Sequence, residues 1–247
     1  MTAQDYSTAA VPVRDDLAAC HGRALERLRA PGTWWTGGER VRIAAEVGRA
    51  WQCRLCARRR AALAPARIAG HHDSDGGLPP ASVEGIHRIT TDPGRLTRRW
   101  LAGLIAEGLT VEQWVELVGV VATAIDLEMF ARGVGAAPFV PPVPLPGEPA
   151  RQRPEVARDH GWWVPVIDPA DATGPYADLY PGPAYPHMQR SLTLVPDEAR
   201  GAADLMTAQY IPYGRVPLPG EDGQRALSSP QMELLAARVS ALNRCFY

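Results

Sequence analysis

The chain has 247 residues, room for one large domain or two modest ones at roughly 100–200 residues each. Apolar residues make up 46% and charged residues 21%, which excludes disorder of the whole chain. With 26 basic against 27 acidic residues the formal charge is −1, so no global basic field gathers nucleic acid.

All 26 basic residues are Arg. Without lysine there is neither a P-loop lysine nor a Schiff-base lysine, which excludes Walker-type ATPases and lysine-dependent aldolase or pyridoxal chemistry. No stretch approaches the roughly 18–20 uninterrupted apolar residues of a membrane span. The segment Met1 to Asp16 carries Asp5, Asp15 and Asp16 and has no basic or apolar leader. A soluble, cytoplasmic protein with no membrane partner is expected.

The text from Arg14 to Gly135 reads as helices. Leu17, Leu25 and Leu28 mark a first helix over Asp15 to Arg29. Val41, Ala44, Val47, Trp51 and Leu55 follow a helical face and predict one continuous helix from Glu39 to Leu63. A loop rich in Gly, His and Asp covers Ala64 to Pro80, and short helices are expected near 81–89 and 94–107. Thr110 and Gln113 form a Thr-x-x-Gln capping box that opens a long apolar helix ending at Gly133–Gly135.

Between Pro138 and Pro186 lie 13 of the 24 prolines, too many for helices, so this segment is expected to be a linker or an arm over a surface. Helical text resumes at Asp197 to Tyr210. A last helix is announced by Ser229 as N-cap and Pro230 at its first position. No useful alternation of β type appears, so the fold class is all-α. The expected organisation is an N-terminal helical unit over 14–135, a proline-rich arm over 136–186, and a C-terminal helical unit over 187–247.

The four cysteines are Cys20, Cys53, Cys56 and Cys245, and Cys53-x-x-Cys56 is a C-x-x-C. In a cytosolic chain that spacing favours redox chemistry or metal over a structural disulfide. Residues 43–53 lie over 235–245 without a gap, with Ala44/Ala236, Ala45/Ala237, Val47/Val239 and Cys53/Cys245 identical, which suggests a duplicated bundle.

Glu233 to Cys245 is similar to the E-x₁₁-C opening of the AhpD-like alkylhydroperoxidases of the carboxymuconolactone decarboxylase superfamily, where the pattern continues C-x-x-C-x-x-x-H. The segment Leu109 to Phe130 resembles that family's long helix. The resemblance implies an all-helical bundle assembled as a homo-oligomer, whose redox dithiol reduces hydroperoxides while a Glu and a His relay protons and a dithiol protein restores the thiols. It names Cys245, Glu233, Cys53 and Cys56 as candidate catalytic residues, with no cofactor and no metal. At Cys53–Cys56 the match departs from the pattern: Val41 stands in the Glu position, with Glu39 and Glu46 nearby, and Arg60 stands in the His position. At the other end, the resemblance puts a second redox residue just after Tyr247, where selenocysteine read as a stop is one expectation.

Thiolate, not thiol, attacks a peroxide, so such a site needs a helix N-terminus, a proton acceptor or a positive neighbour; Arg58-Arg59-Arg60 offers the last. Asn243 is a candidate cap for a new helix that would hold Cys245 in its first turn. Along one straight helix Glu233 and Cys245 would stand ~18 Å apart, so they meet only if the chain turns or another subunit intervenes. A redox Cys53/Cys56 pair is favoured over an inert pair or incidental disulfide, and over zinc, for which only His71, His72 and His87 are obvious further ligands. His71-His72-Asp73 reads mainly as loop, and Glu84/His87 has the i, i+3 spacing of di-iron sites without a second copy. Rival functions are a cofactor-free lyase of the decarboxylase branch and a non-catalytic helical scaffold. The several apolar faces of the long helix (Val118, Val120, Val121, Ile125) add an independent expectation of self-association.

Overall fold

The computed structural model describes residues 4–181, 187–210, 226–243 and 245. The fold is all-α. In chain order the α-helices are α1 (Asp15–Arg29), α2 (Gly37–Gln52), α3 (Arg54–Ala61), α4 (Pro80–Thr91), α5 (Arg98–Ala106), α6 (Val111–Gly133), α7 (His187–Arg190), α8 (Pro196–Gln209) and α9 (Ser229–Leu242). Among the described residues, β pairing is limited to an isolated bridge between Arg158 and Val166. No helix there is long and apolar enough to cross a membrane.

Local sequence explains most of these boundaries. Thr36 and Glu39 close a capping box on α2, and Thr110 and Gln113 close the expected one on α6. For α9 the cap is Ser228, one residue before the expected Ser229, with Gln231 completing the box. The expected single helix over 39–63 is two helices: Cys53 adopts extended backbone between α2 and α3. No Gly or Pro marks that break. Its cause is distant in sequence, because Asp73 returns from the loop to accept the Arg54 N–H at 2.9 Å and the Arg54 guanidinium at 3.1 Å. A side chain that supplies the missing acceptor lets a new helix start at Arg54.

The core is one apolar cluster that takes Leu25 and Leu28 from α1, Ile43 and Val47 from α2, Ile86 from α4, and Leu117, Val120, Val121 and Leu127 from α6. Leu194, Val195 and Leu205, from around α8, belong to the same cluster. On α6, Val120 and Val121 are fully buried, Val118 and Ile125 are partly buried against this cluster, and Met129 is 52% exposed. On α9, Leu234, Leu235, Val239 and Leu242 are exposed.

Three helices are tied by buried charge. Arg40 of α2 donates to Glu116 of α6, and at 2.7 Å to Glu198 of α8. The proline-rich segment lies over the helices, with Leu145 N–H bonded to Arg29 O and Arg151 N–H to Thr33 O. Farther along, Ile167, Leu179 and Tyr180 form a small apolar cluster of their own.

Candidate functional site

The break at Cys53 decides the geometry of the C-x-x-C. Cys53 sits at the N-cap of α3 and Cys56 in its first turn, where unpaired N–H groups and the helix dipole favour a thiolate. The Asp73 N–H points at Cys53 Sγ at 3.4 Å. Both thiols are free and buried.

Two histidines from elsewhere meet them. The loop 62–79 folds back over α3, and Gly70 permits its approach: at φ 152° it lies where a Cβ would stand 3.1 Å from Leu55 Cδ1. Arg58 and Arg59 hold this loop through the carbonyls of Ala69 and Ile68. His72 Nδ1 thereby reaches Cys53 Sγ at 3.6 Å and Cys56 Sγ at 3.5 Å. From α4, which packs across α2, His87 Nδ1 comes to 3.2 Å from Cys56 Sγ. The two rings lie 4.1 Å apart, centroid to centroid.

Each imidazole is backed by a carboxylate. His72 Nε2 donates to Glu84 Oε2 at 2.7 Å, and His87 Nε2 donates to Glu46 Oε1 at 2.9 Å. Glu84 also accepts from Arg59 at 2.7 Å and from Trp100 Nε1 at 3.1 Å, and Glu46 from Arg49 at 3.1 Å. Such pairing fixes which ring nitrogen carries its proton and aims Nδ1 at the sulfurs.

The charges follow this geometry. Burial opposes the Cys56 thiolate, but contacts from His72, His87 and Thr91 outweigh it and bring the thiol down to about 6. Cys53 is lowered too, burial again opposing while the N–H groups of Asp73 and Cys56 and the His72 ring favour the thiolate. Burial also opposes the imidazolium of His72, yet Cys56 and Glu84 lift it to about 10. His87 rises to about 9 against its burial, through Cys56 and Glu46. Without a metal ion, these contacts favour thiolate beside imidazolium near neutral pH.

Four of the residues singled out in the sequence for separate reasons therefore belong to one centre: Cys53, Cys56, His72 and His87, with donor atoms all within 4.8 Å of one another. Glu84 stands behind His72 rather than joining His87 in a di-iron pattern. His71 is exposed and lines a cavity of about 790 Å³ with His72, Glu84, Arg59, Arg99 and Trp100. Of the arginine run, Arg59 serves Glu84 and the loop instead of lying against a thiolate. Glu39 caps α2.

Cys245 and Glu233 are not drawn into this centre. Both are exposed, and among the described residues no hydrogen bond joins either to it. Asn243 closes α9 with its N–H on Val239 O, and Cys245 follows outside any helix with its N–H on Ser240 O. The expected new helix after Asn243 would run through positions 244, 246 and 247, which lie outside the described residues. The position after Tyr247 lies outside the described residues. Glu46 was seen in the sequence only as a neighbour of the motif; its role depends on α2 and α4 crossing, which no local signal encodes. No protein-family model, no curated protein and no solved structure matches the chain.

Proposed function

We propose that the chain is a thiol-dependent oxidoreductase that reduces hydroperoxides through Cys53 and Cys56. The observation that carries this reading is the convergence of both thiols of one C-x-x-C, at the start of α3, on two carboxylate-backed imidazoles. Such a centre supplies a nucleophile, a resolving thiol and proton donors together.

In the step that fits, the Cys56 thiolate attacks the outer peroxide oxygen and the O–O bond breaks. The leaving alkoxide takes a proton from His87 or His72 and departs as alcohol, which leaves a sulfenic acid on Cys56. The Cys53 thiolate then attacks that sulfur; an S–S bond forms and hydroxide leaves as water with a second imidazolium proton. Two thiolates, a hydroperoxide and two protons thus give a disulfide, an alcohol and water. A dithiol protein reduces the disulfide and closes the cycle. The Glu and His expected of the AhpD-like pattern are supplied here by Glu46 and His87, from positions outside the motif.

A cytoplasmic setting agrees with four free thiols. Self-association belongs to the proposal through the exposed apolar residues of α9. One observation favours a non-catalytic scaffold as the second reading: the two cysteines are only 1% and 3% exposed. Under the proposed function, hydroperoxide enters from the adjoining cavity when the loop carrying His72 moves aside.

The test is hydroperoxide consumption by the metal-free protein with a dithiol donor. Turnover is expected in the wild type and in Cys20→Ser, and its loss in Cys53→Ser and Cys56→Ser. Turnover that survives both site variants refutes the assignment, and absence of turnover in the wild type favours the scaffold.

A further inference from the structure

We infer that Cys53, Cys56, His72 and His87 form a closed, four-coordinate binding site for a zinc ion. This concerns metal binding alone and stands whether or not the thiols turn over hydroperoxide.

The donors come from four places: the end of α2, the first turn of α3, the loop 62–79 and α4. Their four donor atoms nevertheless fall within 4.8 Å of one another. Zinc–sulfur bonds of about 2.3 Å and zinc–nitrogen bonds of about 2.0–2.1 Å put tetrahedral S···N separations at about 3.6 Å. Those observed are 3.6, 3.5 and 3.2 Å. Three of the four S···N edges thus lie at or a little under the tetrahedral value, and every remaining donor separation is within 4.8 Å.

The surroundings agree. Zinc displaces the Nδ1 proton of each imidazolium; with Nε2–H still donated to a carboxylate, each imidazole then presents its Nδ1 lone pair to the centre, as metal-ligating histidines do. Glu84 is held by Arg59 and Trp100, and Glu46 by Arg49, so the supporting shell is itself fixed. The charges cancel: two thiolates offset the dication, and Arg49 and Arg59 offset Glu46 and Glu84. Two thiolates with two imidazoles suit zinc and exclude hard cations such as magnesium or calcium.

The centre is also covered. With both cysteines almost wholly buried and four protein donors available, no position is left for water, the arrangement of a holding site and not of a Lewis-acid catalyst. Zinc there fastens the loop 62–79 and α4 to the α2–α3 junction. It also takes both thiolates as ligands, which shields them from electrophiles.

The experiment titrates the full chain, reduced and freed of metal by chelator, with zinc and with cobalt(II) as a spectroscopic probe. Metal content is read by native mass spectrometry and free-thiol labelling. One zinc per chain is expected, and cobalt should give the intense visible bands of a tetrahedral thiolate site. Zinc should slow labelling of Cys53 and Cys56 at least tenfold and leave Cys245 unchanged. Glu84→Gln should weaken binding by about 10–100-fold. The Cys53→Ser/Cys56→Ser variant should lose it, while His71→Ala and Cys245→Ser keep it. No uptake by the wild type, a six-coordinate cobalt spectrum, or binding retained in the double variant overturns the inference. Zinc binding without turnover defeats only the peroxidase reading, and turnover without zinc binding defeats only this one.

Discussion

Replacing Arg40 with Met removes the guanidinium that Glu116 and Glu198 share at the junction of α2, α6 and α8. All three residues are buried. Taking one partner from a buried ion pair leaves an uncompensated charge and costs about 3–5 kcal/mol. Burial already pushes the Glu116 carboxyl up, and removing the guanidinium favours its neutral form further. In a domain of this size 1 kcal/mol is roughly 2–4 °C of Tm, so Arg40→Met should melt about 10 °C lower. The reverse holds when all three polar groups go together. Arg40 Nε is buried without a partner, and the triple replacement Arg40→Met, Glu116→Leu, Glu198→Leu should equal or exceed the wild type by up to about 4 kcal/mol. Urea unfolding followed by circular dichroism measures both. A single variant within 1 kcal/mol of wild type, or a triple variant as unstable as the single, refutes this account of the helix junction.

The other predictions concern a second buried acid and the surface of α9. Burial raises Asp126 to about 6, even though Gln209 Nε2 donates to it at 2.7 Å, with Tyr6 nearby and His21 beyond Gln209. A raised carboxyl favours folding below its unfolded value of about 3.9, and that contribution is lost as pH rises through about 4 to 6. Two pKa units amount to about 2.7 kcal/mol, or about 2 after discounting for partial exposure. Asp126→Asn should therefore stabilise the chain by about 2 kcal/mol at pH 7 and by little at pH 4; a gain of equal size at both contradicts the assignment. On α9, Leu235→Ser with Val239→Ser should convert an oligomer to a species near 26.7 kDa in light scattering without lowering Tm. A wild type already at that mass removes self-association from the proposal.

Local signals made the helices legible, and convergence hid the centre. The leucines of α1 and the capping box of α6 are written within a turn or two of the boundaries they set, and both spans were readable. The division of α2 from α3 was not, because its cause is Asp73, nineteen positions beyond Arg54, acting through a loop whose path depends on Gly70, Arg58 and Arg59. For the same reason Cys53 and Cys56 stood out by their spacing while His72, His87 and Glu84 appeared as separate, weak candidates. A pattern of four ligands spread over 35 residues with irregular gaps has no period, and only the packing of α4 across α2 gathers it. Glu46 is the extreme case: it is a buried acid within an apolar helix face, and that burial, once known, is the signal that it serves another buried group. The long apolar helix gave the opposite lesson. Its faces need cover, and α1, α2, α4 and α8 of the same chain supply much of it, while Met129 stays 52% exposed.

The central claim is that Cys53 and Cys56 act as one redox pair within the His72–His87 centre. Peptide mass mapping after one equivalent of hydroperoxide, on metal-free protein with free thiols blocked at quench, tests it most directly. The account predicts a Cys53–Cys56 disulfide as the main product, with Cys20 and Cys245 still reduced and the disulfide absent in His87→Ala refolded to wild-type circular dichroism. Oxidation confined to Cys245, with Cys53 and Cys56 both recovered as thiols, would contradict it.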